Sequence, residues 1–233
     1  MKNKTLVFTA TYNEAGNIES FLKILLNLNC IDVLIVDDNS PDNTADIISN
    51  YKNKFKNLNL IVRPEKRGLD TAHKLAFEFA KKNDYQNLIT LDADLSHDPR
   101  QITNFVSQLD KYPFVIGSRY IKGGQNKMKF NRYVLSYVGN KIIKFIFKIN
   151  CNEFTTSYRG FNLKNLKNFE INNVKSKGYS FFMETVYQIN KSGNLIKEIP
   201  IIFSDRTKGV SKIPKIESLR TLKNLLLIKL NEK

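Results

Sequence analysis

Asn87-Leu88-Ile89-Thr90-Leu91-Asp92-Ala93-Asp94-Leu95-Ser96-His97-Asp98-Pro99 is the stretch from which the rest of this chain is read. It opens as an apolar run too short for a helix and bounded by turn formers, so it predicts a buried strand that surfaces at its carboxyl end. Side chains alternate along an extended segment, which would put Asp92 and Asp94 on one side with Ala93 between them. Two carboxylates so placed repel each other. A divalent cation relieves that repulsion, and hard oxygen ligands suit Mg2+ or Mn2+ shared with substrate phosphates. An isolated Asp-x-Asp is equally compatible with a strand-end turn whose acids cap a helix starting near Pro99, so the surrounding chain has to decide.

Outward from this stretch, strand and helix alternate. Residues 6–10 predict a first strand, followed by Thr11-Tyr12-Asn13-Glu14 and a helix carrying Ile18, Phe21, Leu22, Leu25 and Leu28 at helical spacing. Residues 33–36 predict the second strand, ending in Asp37-Asp38-Asn39-Ser40-Pro41-Asp42-Asn43-Thr44, a run of turn and N-cap types before a helix through Ile47 and Ile48. A third strand falls at 58–62, a helix opens at Gly68, and strands follow at 88–92 and 114–119. The alternation predicts a mostly parallel sheet flanked by helices, an α/β architecture. Ligands of such sheets sit beyond the carboxyl ends of the strands, where Tyr12, Glu14, Asp37, Asp38, Asp92 and Asp94 would gather.

Charge divides the chain. Residues 1–118 hold 14 Lys+Arg and 15 Asp+Glu, whereas residues 119–233 hold 23 and 7, so the whole excess of +15 lies in the second half. That half should face something anionic: nucleic acid, a membrane surface or a phosphorylated substrate. Between Arg119 and Lys148 there are eight basic residues and no acidic one. Residues 131–148 predict a helix with Arg132 and Ser136 one turn apart, and with Lys141, Lys144 and Lys148 beside Ile142, Ile143, Phe145, Ile146 and Phe147. This is either a basic amphipathic face or a core helix with a solvated lysine side. Further elements are expected at 181–191 (helix), 195–203 (strand) and 216–230 (a C-terminal helix with a leucine stripe). No internal boundary is sharp enough to cut, so 1–233 is read as one domain, with 1–118 as a donor-nucleotide half and 119–233 as a basic acceptor half.

Cys30 and Cys151 match no metal spacing and are expected to be reduced core residues of a cytosolic protein. The N-terminal residues run straight into a strand, so no signal peptide is expected, and no apolar stretch approaches the ~20 residues that cross a bilayer. A nucleic-acid partner is disfavoured: no helix-turn-helix, zinc-finger or RNA-motif signature is present, and the acidic cluster would repel a backbone.

Thr11-Tyr12-Asn13-Glu14, Asp37 to Thr44, Asp92-Ala93-Asp94-Leu95-Ser96-His97 and Gly117-Ser118-Arg119-Tyr120 stand in the order and spacing of the inverting family 2 glycosyltransferases, which have the GT-A nucleotide-diphosphosugar transferase fold. Ser176-Lys177-Gly178-Tyr179, Met183-Glu184, and Asp205-Arg206 with Gly209, Ser211 and Lys212 resemble the dolichol- or polyprenol-phosphate mannosyltransferase branch. The resemblance implies transfer of a sugar, typically mannose from GDP-mannose, to a polyprenyl monophosphate with inversion, at the cytoplasmic face of a membrane. UDP-sugar transfer to a lipid phosphate or a cell-surface glycan is the alternative within the same class. Carried over by position, Ala10, Tyr12, Glu14, Asp37 and Asp38 surround the nucleotide. Asp92 and Asp94, with Ser96 at a further ligand position, hold the metal and diphosphate, and Arg119, Arg132, Ser136 and Arg206 hold phosphate groups. The chain departs from the family in having Ala10 for the usual Pro, Ser96 for Gln and Asp70 for Gly.

Chemistry leads to the same assignment. A phosphate monoester has a second pKa of about 6 and is already mostly a dianion at neutral pH, so no general base is needed and the task is to steer one anion onto another. His73 and His97 are accordingly read as surface or capping residues without a catalytic role.

Overall fold

The computed structural model describes residues 4–204 and Asn224. Arg206 and the expected helix at 216–230 lie outside the described residues. In chain order the elements are β1 (Thr5–Thr11), α1 (Ala15–Leu25), β2 (Ile31–Asp37), α2 (Thr44–Lys52), β3 (Leu58–Val62), α3 (Leu69–Lys82), β4 (Asn87–Thr90), α4 (Ile102–Leu109), β5 (Phe114–Ser118), the short β6 (Gln125–Asn126), α5 (Phe130–Phe147), β7 (Arg159–Asn162), α6 (Tyr179–Lys191), β8 (Ile196–Pro200) and the short β9 (Ile202–Phe203). Seven strands form one sheet in the order β3-β2-β1-β4-β7-β5-β8, and β6 pairs with β9 in a separate ribbon.

The sheet is parallel except at β7, which runs antiparallel between β4 and β5. The strand pattern read from the sequence therefore holds for β1 to β5, and β7 is an addition to it. Arg159-Gly160-Phe161-Asn162 has neither an apolar run nor a polar alternation to announce a strand. Its arginine is 1 % exposed and donates to three backbone carbonyls, of Thr156, Phe182 and Phe154. Gly160 lets the strand pass beneath α4, because a Cβ there would stand 2.9 Å from Leu109.

Helices cover both faces. Leu6, Phe8, Leu34 and Val36 point toward α3, α5 and α6, while Val7, Val33 and Ile35 point toward α1, α2 and α4. Burial on both faces explains why these strands read as continuous apolar runs. Leu28, expected on the first helix, lies beyond its end but still packs on the core between the sheet and α1, α2 and α4.

Two expectations about buried residues are corrected. His73 and His97 are 8 % and 1 % exposed, so neither is a surface residue. His73 sits among the rings of Phe8, Phe181 and Phe182. Burial, with the Arg159 charge nearby, pushes it down to about 3, so it is a neutral core residue. Cys151 is buried as expected, but Cys30 is exposed, at a left-handed turn before β2 (φ 62).

Candidate active site

The carboxyl ends of β1, β2 and β4 lie side by side: Thr11 pairs with Asp37, the Asp38 amide donates to the Thr11 carbonyl, and the Leu91 amide donates to the Phe8 carbonyl. On this rim the loop 37–44 is shaped by its own short polar side chains. Asp37 is fully buried and accepts from the Thr11 hydroxyl (2.7 Å), the Ser40 hydroxyl (2.6 Å) and the Ser40 amide (2.8 Å). Asp42 accepts from Thr44 and from the Ala15 amide, and the Thr44 hydroxyl accepts the Glu14 amide, which ties the start of α1 to this loop. Asp38 is 7 % exposed and forms an ion pair with buried Arg63, whose other donors reach Thr71 (2.6 Å) and the Gly68 carbonyl (3.1 Å). Asp37 and Asp38, two of the acids expected at the nucleotide, thus hold loops in place. Tyr12, half-buried, faces the rim with the Lys66 ammonium 4.1 Å above its ring, and Glu14 accepts from the Asn17 amide. Ala10 is partly buried against the core under α3.

The Asp-x-Asp loop departs from the expected geometry. β4 ends at Thr90, so Asp92 and Asp94 lie in a turn beyond the strand, and Leu95 adopts a left-handed conformation (φ 60). The two acids occupy different environments. Asp94 is 4 % exposed and accepts from the Ser96 amide (3.0 Å) and hydroxyl (2.6 Å), whereas the Asp92 side chain is 40 % exposed. Beneath them lies His97. Its Nδ1 is 3.5 Å from the Asp92 amide and 3.8 Å from the Asp92 carboxylate, and its Nε2 is 3.2 Å from the Thr156 hydroxyl. Burial pushes it down to about 4, with Asp94 pulling the other way, so the ring is neutral. A neutral ring that accepts the Asp92 amide at Nδ1 carries its proton on Nε2, toward Thr156.

Among the described residues, no three His, Cys, Asp or Glu side chains gather into a metal cage. The donor set at Asp92, Asp94 and Ser96 is nonetheless entirely hard oxygen, which fits Mg2+ or Mn2+ anchored at two or three points and completed by phosphate oxygens.

Beside this loop stands the basic rim. Arg119 follows β5 and is 8 % exposed. Its Nε and Nη2 donate to the two oxygens of Glu153 (2.7 and 2.8 Å), and Nη2 also reaches the Thr155 hydroxyl (2.8 Å). Burial works against both charges, but each is held by the other: the Glu153 carboxyl stays below its ordinary range and the Arg119 guanidinium above its own. Tyr120 lies against the Arg119 guanidinium and donates its hydroxyl to Ser136 (2.7 Å), so Tyr120 bridges Arg119 and Ser136. Arg132 is exposed on α5, one turn before Ser136. Asn140 docks this helix on the same loop, accepting the Phe154 amide at 2.7 Å. Acidic and basic rims meet at His97, whose ring also packs on Tyr158 and Phe203, and Phe203 is in turn covered by Arg119.

Arg63, His97 and Glu153 were not legible as site residues. Arg63 and Glu153 look like ordinary surface charges in the sequence, and only pairing across 25 and 34 positions makes them buried.

The model of the glycosyl transferase family 2 domain matches residues 6–169. A polyprenol monophosphomannose synthase of Mycolicibacterium smegmatis is 30% identical over 214 residues, covering 90% of this chain and 81% of the relative. An undecaprenyl-phosphate mannosyltransferase of Micrococcus luteus is 31% identical over 212 residues, covering 90% and 87%. Among solved structures, a mannosyltransferase from Pyrobaculum calidifontis in complex with GDP-Man and Mn2+ superposes with a TM-score of 0.57 at 18% identity, covering 98% of this chain and 71% of that one. A TarS fragment from S. aureus gives 0.58 at 18% identity, covering 98% and 65%. The structural likenesses establish the GT-A architecture, and with the family match over most of its length this chain belongs to glycosyl transferase family 2.

Proposed function

We propose that this glycosyltransferase moves mannose from GDP-mannose to a polyprenyl monophosphate, with inversion, at a membrane surface. One observation carries the reading: an acidic loop after β4 and a basic rim after β5 lie at the same end of the sheet, on either side of β7, and meet at His97. A donor diphosphate with its cation belongs to the first and an acceptor phosphate to the second. The names of the two relatives support the acceptor class, and GDP-mannose is favoured by the ligand of the Pyrobaculum structure.

Asp92 and Asp94 would hold the divalent cation, with the Ser96 hydroxyl beside them. When bound, that cation neutralises charge building on the departing diphosphate. Asp37 and Asp38 keep the nucleotide-side loops in shape, while Tyr12 and Glu14 face the ribose and base. Arg132, exposed and one turn from Ser136, grips the acceptor phosphate by charge-assisted hydrogen bonds. Arg119 orients that grip: its Nη1 is the donor not spent on Glu153 or Thr155. Arg206 is assigned to the same phosphate. The acceptor dianion attacks the anomeric carbon directly, so no side chain has to take a proton.

The surface of α5 supports a membrane location. Phe130, Leu135, Val138 and Phe145 are 77 %, 63 %, 47 % and 83 % exposed along the helix that carries Arg132, with Lys141 among them. Among the described residues no helix is long and apolar enough to cross a bilayer. An apolar face flanked by lysines suits peripheral contact with an anionic leaflet, on the cytoplasmic side where nucleotide sugars are made available.

The test is a panel of radiolabelled GDP and UDP sugars incubated with purified protein and polyprenyl phosphate. Label entering the organic phase from GDP-mannose alone supports the reading, and label from a UDP sugar alone replaces it.

A further inference from the structure

His97 has both ring nitrogens engaged, yet the transfer described above, in which no side chain takes a proton, gives it no chemical step. Its surroundings hold it still. The His97 main chain bridges Phe203 antiparallel, the Ser204 amide donates to the Ser96 carbonyl (3.1 Å), and the Tyr158 hydroxyl donates to the Asp98 carbonyl (3.1 Å). The ring, 1 % exposed, packs on both Tyr158 and Phe203, each with its centroid 5.2 Å away. On the Nε2 side, the Thr156 hydroxyl oxygen lies 3.2 Å away and also accepts the Tyr158 amide (3.2 Å). A hydroxyl oxygen has two lone pairs, so it can receive both the amide proton and an Nε2 proton. That leaves Nδ1 as an acceptor 3.5 Å from the Asp92 amide. This is a long bond, and its value lies in direction, because the ring that offers it is packed in place. Asp92 itself lies beyond the end of β4, on a turn that passes through Leu95 at φ 60. The opposite tautomer, Nδ1–H, would set two donors against each other at the Asp92 amide and compete with a cation for the Asp92 carboxylate, 3.8 Å away.

Resting on the cation reading given above, we propose that His97 is a positioning residue for the cation: as the Nε2–H tautomer selected by Thr156, it accepts the Asp92 amide and so fixes the main chain from which the Asp92 carboxylate projects. His97→Asn keeps an oxygen where Nδ1 stood, whereas His97→Gln carries its polar atoms to the Nε2 side and leaves the Asp92 amide without its acceptor. Thr156→Val removes the partner of Nε2. Tyr158→Phe removes the bond to the Asp98 carbonyl while touching neither ring nitrogen, and reports what a merely structural role would do.

The chain has two histidines, so 15N-histidine labelling of the full chain resolves their ring nitrogens, with those of His97 assigned by their loss in His97→Asn. At neutral pH without metal, His97 should show a protonated Nε2 and a bare Nδ1, and Thr156→Val should move the proton toward Nδ1. Mn2+ affinity with GDP present, read from the paramagnetic resonance of free Mn2+, should fall by about tenfold or more in His97→Gln and Thr156→Val. It should stay within about threefold of wild type in His97→Asn, although Tm falls there with the lost ring packing. Tyr158→Phe should lower Tm without moving Mn2+ affinity. A protonated Nδ1 in the wild type, equal losses of Mn2+ affinity in His97→Asn and His97→Gln, or an equal loss in Tyr158→Phe overturns the proposal. Should His97→Gln fail to fold, the wild-type tautomer and Thr156→Val decide it. Wild-type protein that binds no Mn2+ with GDP or UDP defeats the cation reading instead, and the ring-nitrogen signals still decide the contact.

Discussion

The acidic and basic rims of this site are built on the same plan with opposite signs. On the donor side, Asp37 and Asp38 are spent on hydroxyls, amides and Arg63, while Asp92 stays 40 % exposed. On the acceptor side, Arg119 is spent on Glu153, while Arg132 stays exposed. Each rim therefore holds a buried charge that shapes loops and a more exposed one that the proposed reaction assigns to the ligand. The buried groups cannot be exchanged for the exposed ones, because an unpaired charge in a dry environment costs several kcal/mol whereas an exposed one costs little. Mutations on the two kinds of position should consequently fail in different ways.

The largest effect is expected where a buried charge loses its partner. Glu153→Ala leaves the Arg119 guanidinium uncompensated and should destabilise the protein by about 3 to 5 kcal/mol. For a chain of this size that is a fall in Tm of about 10 °C, read by calorimetry. A Tm near wild type would mean that Arg119 is not spent on Glu153, and the division of roles on the basic rim would collapse.

Next comes the loop of Asp92 and Asp94. Asp94→Asn retains an oxygen for the Ser96 amide and hydroxyl, so Tm should barely change, but the loss of an anionic ligand should cut turnover by about 100-fold. EDTA should abolish activity and Mn2+ or Mg2+ restore it. Full activity in EDTA would remove the cation from the account.

How much of this was legible in the sequence differs between the rims. β1 to β5 announce themselves because parallel strands buried on both faces are apolar throughout, and the donor acids fall at their carboxyl ends, where topology puts ligands. The basic rim depends on β7, a four-residue strand whose arginine is satisfied by carbonyls of Phe154, Thr156 and Phe182, and no local pattern encodes such partners. The same holds for Glu153. Residue type shows that a charge is present, but only the fold shows whether it has already been neutralised. The strand alternation invoked for Asp92 and Asp94 failed for a related reason: the strand stops at Thr90, and the turn that follows separates the two acids by burial.

Arg132→Ala should sharpen the comparison at moderate scale. Loss of an exposed group that meets the ligand should leave Tm unchanged and lower kcat/KM for a short, detergent-soluble prenyl phosphate by about tenfold or more, with the GDP-mannose KM unaffected. Wild-type turnover of the short acceptor would withdraw Arg132 from the phosphate. The smallest effect belongs to the lysines on and just after α5. Neutralising Lys141, Lys144 and Lys148 together should weaken binding to anionic liposomes at low ionic strength, each contributing about 1 kcal/mol before screening. Activity on the short acceptor should remain intact, and equal loss of both would merge recruitment with recognition.

The central claim is that the acceptor arrives already ionised, so that the enzyme steers an anion and does not deprotonate it. Transfer from GDP-mannose to polyprenyl phosphate and to the matching polyprenol, followed across pH, tests this most directly. The account predicts a β-linked mannosyl phosphate product, no transfer to the alcohol, and a kcat/KM that rises with pH through about 6, as the acceptor becomes a dianion, and then stays level. Transfer to the alcohol, an α-linked product or a trapped mannosyl-enzyme would contradict it.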